Sequence, residues 1–418
     1  MIGAGLAGLS AAVALASGGA KVELIEASAQ AGGRCRSYRD GVLEMMLDNG
    51  NHLILSGNDA TFAYLDAIGG RDALSGPDEA ALDFVDLRGE SKSAARWTLR
   101  ANDGPLPWWI FDKSRGVPGV SPADFLGLLP LLTAPKGRRV GELVPTQGPL
   151  WDRLIEPFLL AALNTPAAEG SAYLAGQVIR QSLLRGGRAY RPRIAHPTLS
   201  AAFIDPALAL LALRGVRVRY ASPVRSVSFE GSRVAALHFA DGEAVLHEGD
   251  SALVAVPPWI APALVPGLTA PDTFNAIVNA HFRLAPEPGT PPIVGVIGGA
   301  AHWIFAFDDR FSVTVSAADD LADEDREALA RRFWCEIAAV HRLPAELPPW
   351  RIVKERRATF AATPEQDARR PGPVTAWDNL FLAGDWTQTG LPSTIEGAIR
   401  SGQRAAQLIW NFITSGQA

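Results

Sequence analysis

Apolar residues fall in short runs punctuated by glycine and proline, the pattern of strands and helices in alternation. Leu9-Ser10-Ala11-Ala12-Val13-Ala14-Leu15 is a good helix former with an apolar face, and Lys21-Val22-Glu23-Leu24-Ile25-Glu26 follows it as a strand. Residues 47–55 read as a turn feeding a strand. From 83 to 119 the pattern is irregular, with Trp97, Trp108, Trp109 and several prolines, and an excursion into a second domain starts there. Residues 121–132 predict a short, strongly apolar helix with a proline inside, suited to touching lipid, to gating an apolar tunnel or to plain core. Two more helices are expected over 150–164 and 170–184. Residues 206–213 are helical, and 216–220 and 224–229 alternate as strands. Residues 233–239 and 244–247 pair across the Asp241-Gly242 turn, and 251–256 form a buried strand stopped by Pro257-Pro258. Residues 274–360 again read as α+β material, with strands near 302–305 and 312–316 and an amphipathic helix over about 324–340. A last strand, 379–383, ends in Gly384-Asp385, and a closing helix opens after Pro392 with Ser393 or Thr394 as N-cap.

Chemistry enters at both ends of this pattern. Gly3-Ala4-Gly5-Leu6-Ala7-Gly8 fits G-x-G-x-x-G and runs straight into the first helix. Gly3 permits a tight turn, Gly5 lets a pyrophosphate approach the backbone, and Gly8 lets helix and sheet pack closely. The N–H groups of the first turn, Ala7 and Gly8 among them, then face the phosphates with the positive end of the helix dipole. Glu26 follows Gly8 at nearly the ~20-residue spacing of a ribose-binding carboxylate. Only Met1 and Ile2 precede the glycines, where a first strand of about five residues normally stands inside a parallel sheet, so either the true start lies upstream or the chain makes do with a stub and a weakened hold on the cofactor.

Gly32-Gly33-Arg34 adds close backbone approach and a guanidinium fork suited to phosphate. Asp48-Asn49-Gly50-Asn51-His52 is a polar cluster able to line a pocket, with His52 either a structural hydrogen-bonding group or a proton donor. At the C-terminal end, a helix N-terminus at Ser393, Thr394 and Ile395 suits the pyrimidine end of a reduced flavin, whose charge at N1 and O2 it stabilises. Asp385 would accept from a ribityl hydroxyl.

Composition narrows the class. The 418 residues allow two or three domains with ample core. Net charge is −5 with no long basic run, which argues against a nucleic-acid partner. Cys35 and Cys335 lie far apart and outside any C-x-x-C, which points to a reducing compartment and away from structural zinc or another metal. No secretory pattern is evident, and the apolar run 251–268 is broken by Pro257, Pro258, Pro262 and Pro266, so a spanning helix is not expected.

The two ends, GAGLAG…E…GGR and AGDW…PSTIEGAIRSG, resemble the flavin amine oxidase and phytoene desaturase superfamily. The strand ending Val254-Ala255-Val256-Pro257-Pro258 and the Pro223-Val224 strand match its other FAD-domain signatures. Within it, Asp48-Asn49-Gly50-Asn51-His52, Ala161-Ala162-Leu163-Asn164-Thr165-Pro166 and Leu382-Ala383-Gly384-Asp385-Trp386-Thr387 look like the hydroxysqualene dehydroxylases, the squalene-associated FAD-dependent desaturases. So does Gly390-Leu391-Pro392-Ser393-Thr394-Ile395-Glu396-Gly397. The resemblance covers essentially the whole chain, with Asn51 standing where a glutamine is expected.

It implies an α/β fold: a Rossmann-like FAD-binding domain of the GR2 type, over 1–85, 195–268 and 360–418, with an inserted α+β substrate domain over 86–194 and 269–359. FAD would be held by Gly3, Gly5, Ala7, Gly8, Glu26, Gly33, Arg34, Asn49, Gly50, Val224, Gly384, Asp385, Ser393, Thr394 and Ile395. The implied reaction is reduction of hydroxysqualene to squalene on the route to hopanoids, with the same scaffold run oxidatively, as in carotenoid desaturation or amine oxidation, as the alternative. Loss of an activated allylic hydroxyl leaves a delocalised cation that flavin N5 can quench with hydride. The protein must then supply a dry apolar tunnel, a proton for the leaving oxygen, and orientation. His52 is the first candidate for the donor, with Glu396 and Asp48 behind it, and Asn164 and Thr165 are candidates for the cavity wall. The expected partners are a C30 isoprenoid lipid and an external electron donor such as NAD(P)H. A cytoplasmic protein with peripheral contact at the inner face of the cell membrane is expected.

Overall fold

The computed structural model describes residues 1–88 and 95–415, which build two main sheets. The first is parallel and short-stranded. Arg217–Arg219, Glu23–Ile25, the single residue Ile2, Ala252–Val254 and Leu380–Leu382 lie side by side in that order. The amides of Ile2, Gly3, Ile25 and Ala255 close the ladder at 2.7–2.9 Å. Ile2, 4% exposed, thus holds the centre of the sheet. Its neighbours Leu24, Leu253 and Leu380 are fully buried, as strands covered on both faces require. The helix Leu6–Ser17 packs against the closing helix Ile395–Ser415, where Ala7, Ala11 and Leu15 meet Ala405, Ala406 and Ile409.

The second sheet has seven strands in the order Trp350–Phe360, Phe274–Phe282, Phe311–Val315, Trp303–Ala306, Ile293–Ile297, Ala81–Asp86 and Ala95–Arg100. Neighbours are antiparallel except Ile293–Ile297 and Ala81–Asp86, which run parallel. The period of two decides what each face carries. Val278, Ala280, Phe282, Phe311, Val313 and Val315 pack under the amphipathic helix Arg326–His341. On the opposite face Phe84, Ile297, Trp303 and Phe305 share a core with Trp151, Ile155 and Leu159, which lie on the π-helical turn Trp151–Ile155 and its continuation Glu156–Leu163.

Three expectations need correction. The strand Ala81–Asp86 belongs to the second sheet, so a domain boundary after residue 85 cuts through a paired strand. Residues 121–132 form the 3₁₀ segment Pro122–Leu128 followed by a single α turn, Leu129–Leu132. Gly127 and Pro130, a weak helix former and a residue with no N–H, explain why no continuous α-helix forms there. Val224 stands just before the strand Ser226–Glu230 rather than inside it. Among the described residues no helix is long and apolar enough to cross a membrane.

Candidate active site

The glycine turn is made for close approach. Gly3 has φ +106°, and a Cβ there would lie 2.4 Å from the Ala255 carbonyl oxygen. A Cβ on Gly8 would lie 1.9 Å from the Gly3 carbonyl oxygen, so helix and strand touch only because both lack side chains. Gly5 differs. A Cβ there meets nothing within 4 Å, and the helix Leu6–Ser17 that it precedes has no side-chain cap. Gly5 also bridges Gly32, and Gly33 packs close to its Cα. The result is an open cradle of bare backbone at a helix N-terminus, which suits a pyrophosphate. Glu26 sits beside it, its carboxylate accepting from the Ala4 N–H and from the N–H and hydroxyl of Ser28, each at 2.8 Å.

A second cluster joins the two motif ends. Arg34 donates from Nη2 to Asp385 Oδ1 at 2.6 Å and from Nη1 to the Ala358 carbonyl at 2.6 Å. The Ser393 hydroxyl donates to the other oxygen of Asp385. Gly384 precedes the acid with its N–H bound by Ser401 Oγ at 2.9 Å. Thr394 is the N-cap: its hydroxyl accepts from the Gly397 N–H at 3.0 Å, and Ile395 opens the helix. Sequence reasoning overlooked Arg370. It is 2% exposed and donates to the Asp385 carbonyl at 3.1 Å, the Thr389 hydroxyl at 3.0 Å and the Asp367 carboxylate at 3.1 Å, clamping the Asp385 loop from below. No motif marks it. Arg34, Asp385 and Ser393 line a tight crevice together with Trp259 and Phe274, which meet edge to face at 5.1 Å. The bare-backbone cradle and the adjoining Glu26 carboxylate suit the pyrophosphate and ribose of FAD.

The candidate acids are treated very differently. Glu396 is 4% exposed and caps the helix Asp59–Ile68, accepting from the N–H of Ala60 at 3.1 Å, from the N–H and hydroxyl of Thr61 at 2.8 Å, and from Arg400 at 2.9 Å. Its carboxylate is thus engaged as the cap of another helix, a structural role that the sequence does not show. Asp48, 2% exposed, accepts from the Ser37 hydroxyl at 2.6 Å and the Leu199 N–H at 2.9 Å, which ties its hairpin to the next layer; burial raises its pKa. His52 Nε2 lies 3.9 Å from the Cβ position of Gly50, and burial followed by the Arg34 charge pulls its pKa down to about 4. Both effects disfavour the imidazolium form, which weighs against His52 as the proton donor to the leaving oxygen. Asn49 donates to Glu355 at 3.3 Å, and Asn51 donates to the Thr314 hydroxyl at 3.0 Å.

Asn164 and Thr165 tie neighbouring layers together. Asn164 ends the helix Glu156–Leu163 in the left-handed region, donating to Thr359 Oγ1 at 2.9 Å and accepting from the Ala317 N–H at 2.7 Å. Thr165 accepts from the Ala362 N–H at 2.8 Å. Both are staples between layers.

The family described as flavin containing amine oxidoreductase matches residues 6–410. The hydroxysqualene dehydroxylase of Rhodopseudomonas palustris is 53% identical over 98% of this chain and 97% of its own length. That of Zymomonas mobilis is 49% identical, covering 98% of each. The chain belongs to the hydroxysqualene dehydroxylase family. Its members sit within the flavin-containing oxidoreductases, and FAD is the cofactor. Among solved structures, cyclohexylamine oxidase from Brevibacterium oxydans shares the fold with a TM-score of 0.69 at 18% identity, over 98% of each chain. A zeta-carotene desaturase from Synechocystis sp. is 31% identical over only 23% of this chain and 20% of its own, so the oxidative alternative is not favoured.

Proposed function

We propose that this chain, like the hydroxysqualene dehydroxylases it matches end to end, reduces hydroxysqualene to squalene with reduced FAD. The near-full-length identity supports the reading most, together with a cradle and a clamp suited to FAD. Gly3, Gly5, Ala7, Gly8 and Glu26 hold the adenosine diphosphate end, with Val224 nearby. Gly33, Arg34, Asn49, Gly50, Gly384, Asp385, Ser393, Thr394 and Ile395 hold the ribityl and ring end. When bound, the reduced flavin supplies hydride. The protein orients the departing oxygen, and His52 serves as a neutral hydrogen-bonding partner to it. Apolar walls would protect the allylic cation from water.

Leu106, Trp108, Phe111, Leu126 and Leu129 are 53–65% exposed on two adjoining segments, held together where Trp109 meets Phe125 edge to face at 5.5 Å. Lys113, Arg115, Lys136 and Arg138 border them in sequence. Such a patch dips into a lipid surface and takes up a C30 substrate there, continuous inward with the aromatic core. An external donor such as NAD(P)H would renew the reduced flavin.

The test is anaerobic incubation of the FAD-loaded, chemically reduced protein with hydroxysqualene. Squalene is the expected product. If no squalene forms but a carotene is desaturated, the reductive reading falls.

A further inference from the structure

The sequence Arg310-Phe311-Ser312-Val313-Thr314-Val315-Ser316 alternates strictly, and its apolar members lie under the helix Arg326–His341. Its polar members share the other face with those of the neighbouring strand, because Ser312 pairs with His281 and Thr314 with Asn279. His281 Nδ1 and Ser312 Oγ are 2.8 Å apart, and the Thr314 hydroxyl donates to Asn279 Oδ1 at 2.8 Å. Asn51, next to His52, donates to the Thr314 hydroxyl at 3.0 Å. At the other end Arg310 lies over the Phe307 ring at 4.0 Å and donates to Asp309 at 2.8 Å, whose side chain is 55% exposed. A polar seam therefore runs from the surface to His52 through an otherwise apolar sheet face.

The seam is under-satisfied. Asn51 Oδ1, His281 Nε2, Arg310 Nε and Arg310 Nη2 are four of the nine buried side-chain polar atoms that lack a partner among the described residues. Ser312, His281 and Arg310 are at most 3% exposed. A buried polar atom left without a partner is destabilising unless something bonds it. Successive pairs along the seam stand two residue rises apart, roughly 7 Å, so water bonded to one pair can reach water bonded to the next. His281 is held neutral, its pKa lowered to about 3 by burial and by Arg310, so one ring nitrogen donates while the other accepts.

We infer that this seam holds a file of ordered water that carries the reaction's proton inward from Asp309 and its product water outward. The inference rests on the proposed reaction, in which an alcohol, a hydride from reduced flavin and one proton give an alkene and one water. The C–O bond breaks, a C–H bond forms, and the flavin is oxidised by two electrons. Both the proton and the water must cross a wall that is otherwise apolar. Asn51, Asn279, His281, Ser312 and Thr314 are positioning residues, since they hold the water and do not touch the breaking bond.

Two measurements test this. A high-resolution crystal structure of the unmodified FAD-bound protein should show ordered waters bonded to His281 Nε2, Arg310 Nε and Asn51 Oδ1. A dry seam, or side chains repacked so that protein groups satisfy these atoms, would overturn the inference whatever the substrate is. Second, Ser312→Ala and Thr314→Val should slow single-turnover flavin oxidation by hydroxysqualene about tenfold, the weight of one lost hydrogen bond. The solvent deuterium isotope effect should rise and substrate affinity should stay unchanged. Wild-type rate and isotope effect in both variants would sink it. If the wild type makes no squalene at all, the proposed reaction fails instead, and the crystallographic waters still decide the seam.

Discussion

Arg34 and Asp385, 351 positions apart in the chain, meet at 2.6 Å and join the two motif ends into one site. Asp385 keeps only 7% of its side chain exposed and shares its second oxygen with Ser393, so the pair fixes the carboxylate in one orientation. Arg34→Ala leaves that buried charge with less compensation. The loss should be roughly 1–3 kcal/mol, below that of a fully buried pair because the Arg34 side chain is 37% exposed. The readout is FAD affinity by fluorescence titration, expected to fall on the order of tenfold or more. Unchanged affinity would remove the pair from the cofactor site.

Gly5→Val should abolish flavin retention while leaving the apoprotein folded. Its Cβ enters open space, so no backbone clash follows, but the branched side chain fills the cradle. Desalted protein should be colourless with a near wild-type melting temperature. Full yellow colour after desalting would displace the pyrophosphate from this turn.

Glu396 separates a structural role from a catalytic one. Glu396→Ala removes the acceptor for three amide and hydroxyl donors at a helix start, a loss of about 1–2 kcal/mol. Thermal melts should show the destabilisation, while turnover per folded, flavin-bound molecule stays within a few-fold of wild type. A stable variant that had lost its turnover would restore Glu396 as the acid.

His52 is expected to act as a neutral hydrogen-bonding group. His52→Ala should therefore lose on the order of 10² in turnover, and His52→Gln should recover much of it, because an amide can still donate and accept. Equal, severe losses in both variants would show that an ionised imidazole is required.

Four histidines predict the pH response of the apoprotein. Burial holds His52, His302 and His341 near pKa 4 and His281 near 3, against an ordinary 6.5. Between these values the unfolded chain binds protons that the folded chain does not, so stability is fully present above about pH 6.5 and falls as pH drops through about 4. Each contributes on the order of 2 kcal/mol, allowing for partial exposure of all but His281. Melting temperature measured from pH 7 down to about 4.5 should decline steadily. A flat profile would contradict the burial of these rings.

Charged substitutions at Trp108 and Leu126, each more than 60% exposed, should lower sedimentation with anionic liposomes and leave flavin content unchanged. The same binding in wild type and variant would separate this patch from lipid.

The sequence alone determined what is local or periodic. Gly3, Gly5 and Gly8 are readable because each does its work within one turn, and Arg34, Asp385 and Thr394 because they sit in short motifs beside a strand or helix end. The alternation from Ser312 to Ser316 marked a strand, whereas the apolar stretch after Ser121 left lipid contact, a tunnel gate and plain core all open. Near-identity of pattern over the full length carried the family. Tertiary structure decided whatever depends on which strands pair. Only the register of Ser312 with His281 and of Thr314 with Asn279 turns separate polar residues into one seam. Only packing across 335 positions places Glu396 on the amides of Thr61, where a motif carboxylate becomes a helix cap. Arg370 has no signature because its partners are mostly backbone carbonyls and hydroxyls of a loop brought to it by folding. The pKa of His52 also escapes the sequence, since it is set by burial and by a guanidinium that reaches it only in the folded chain.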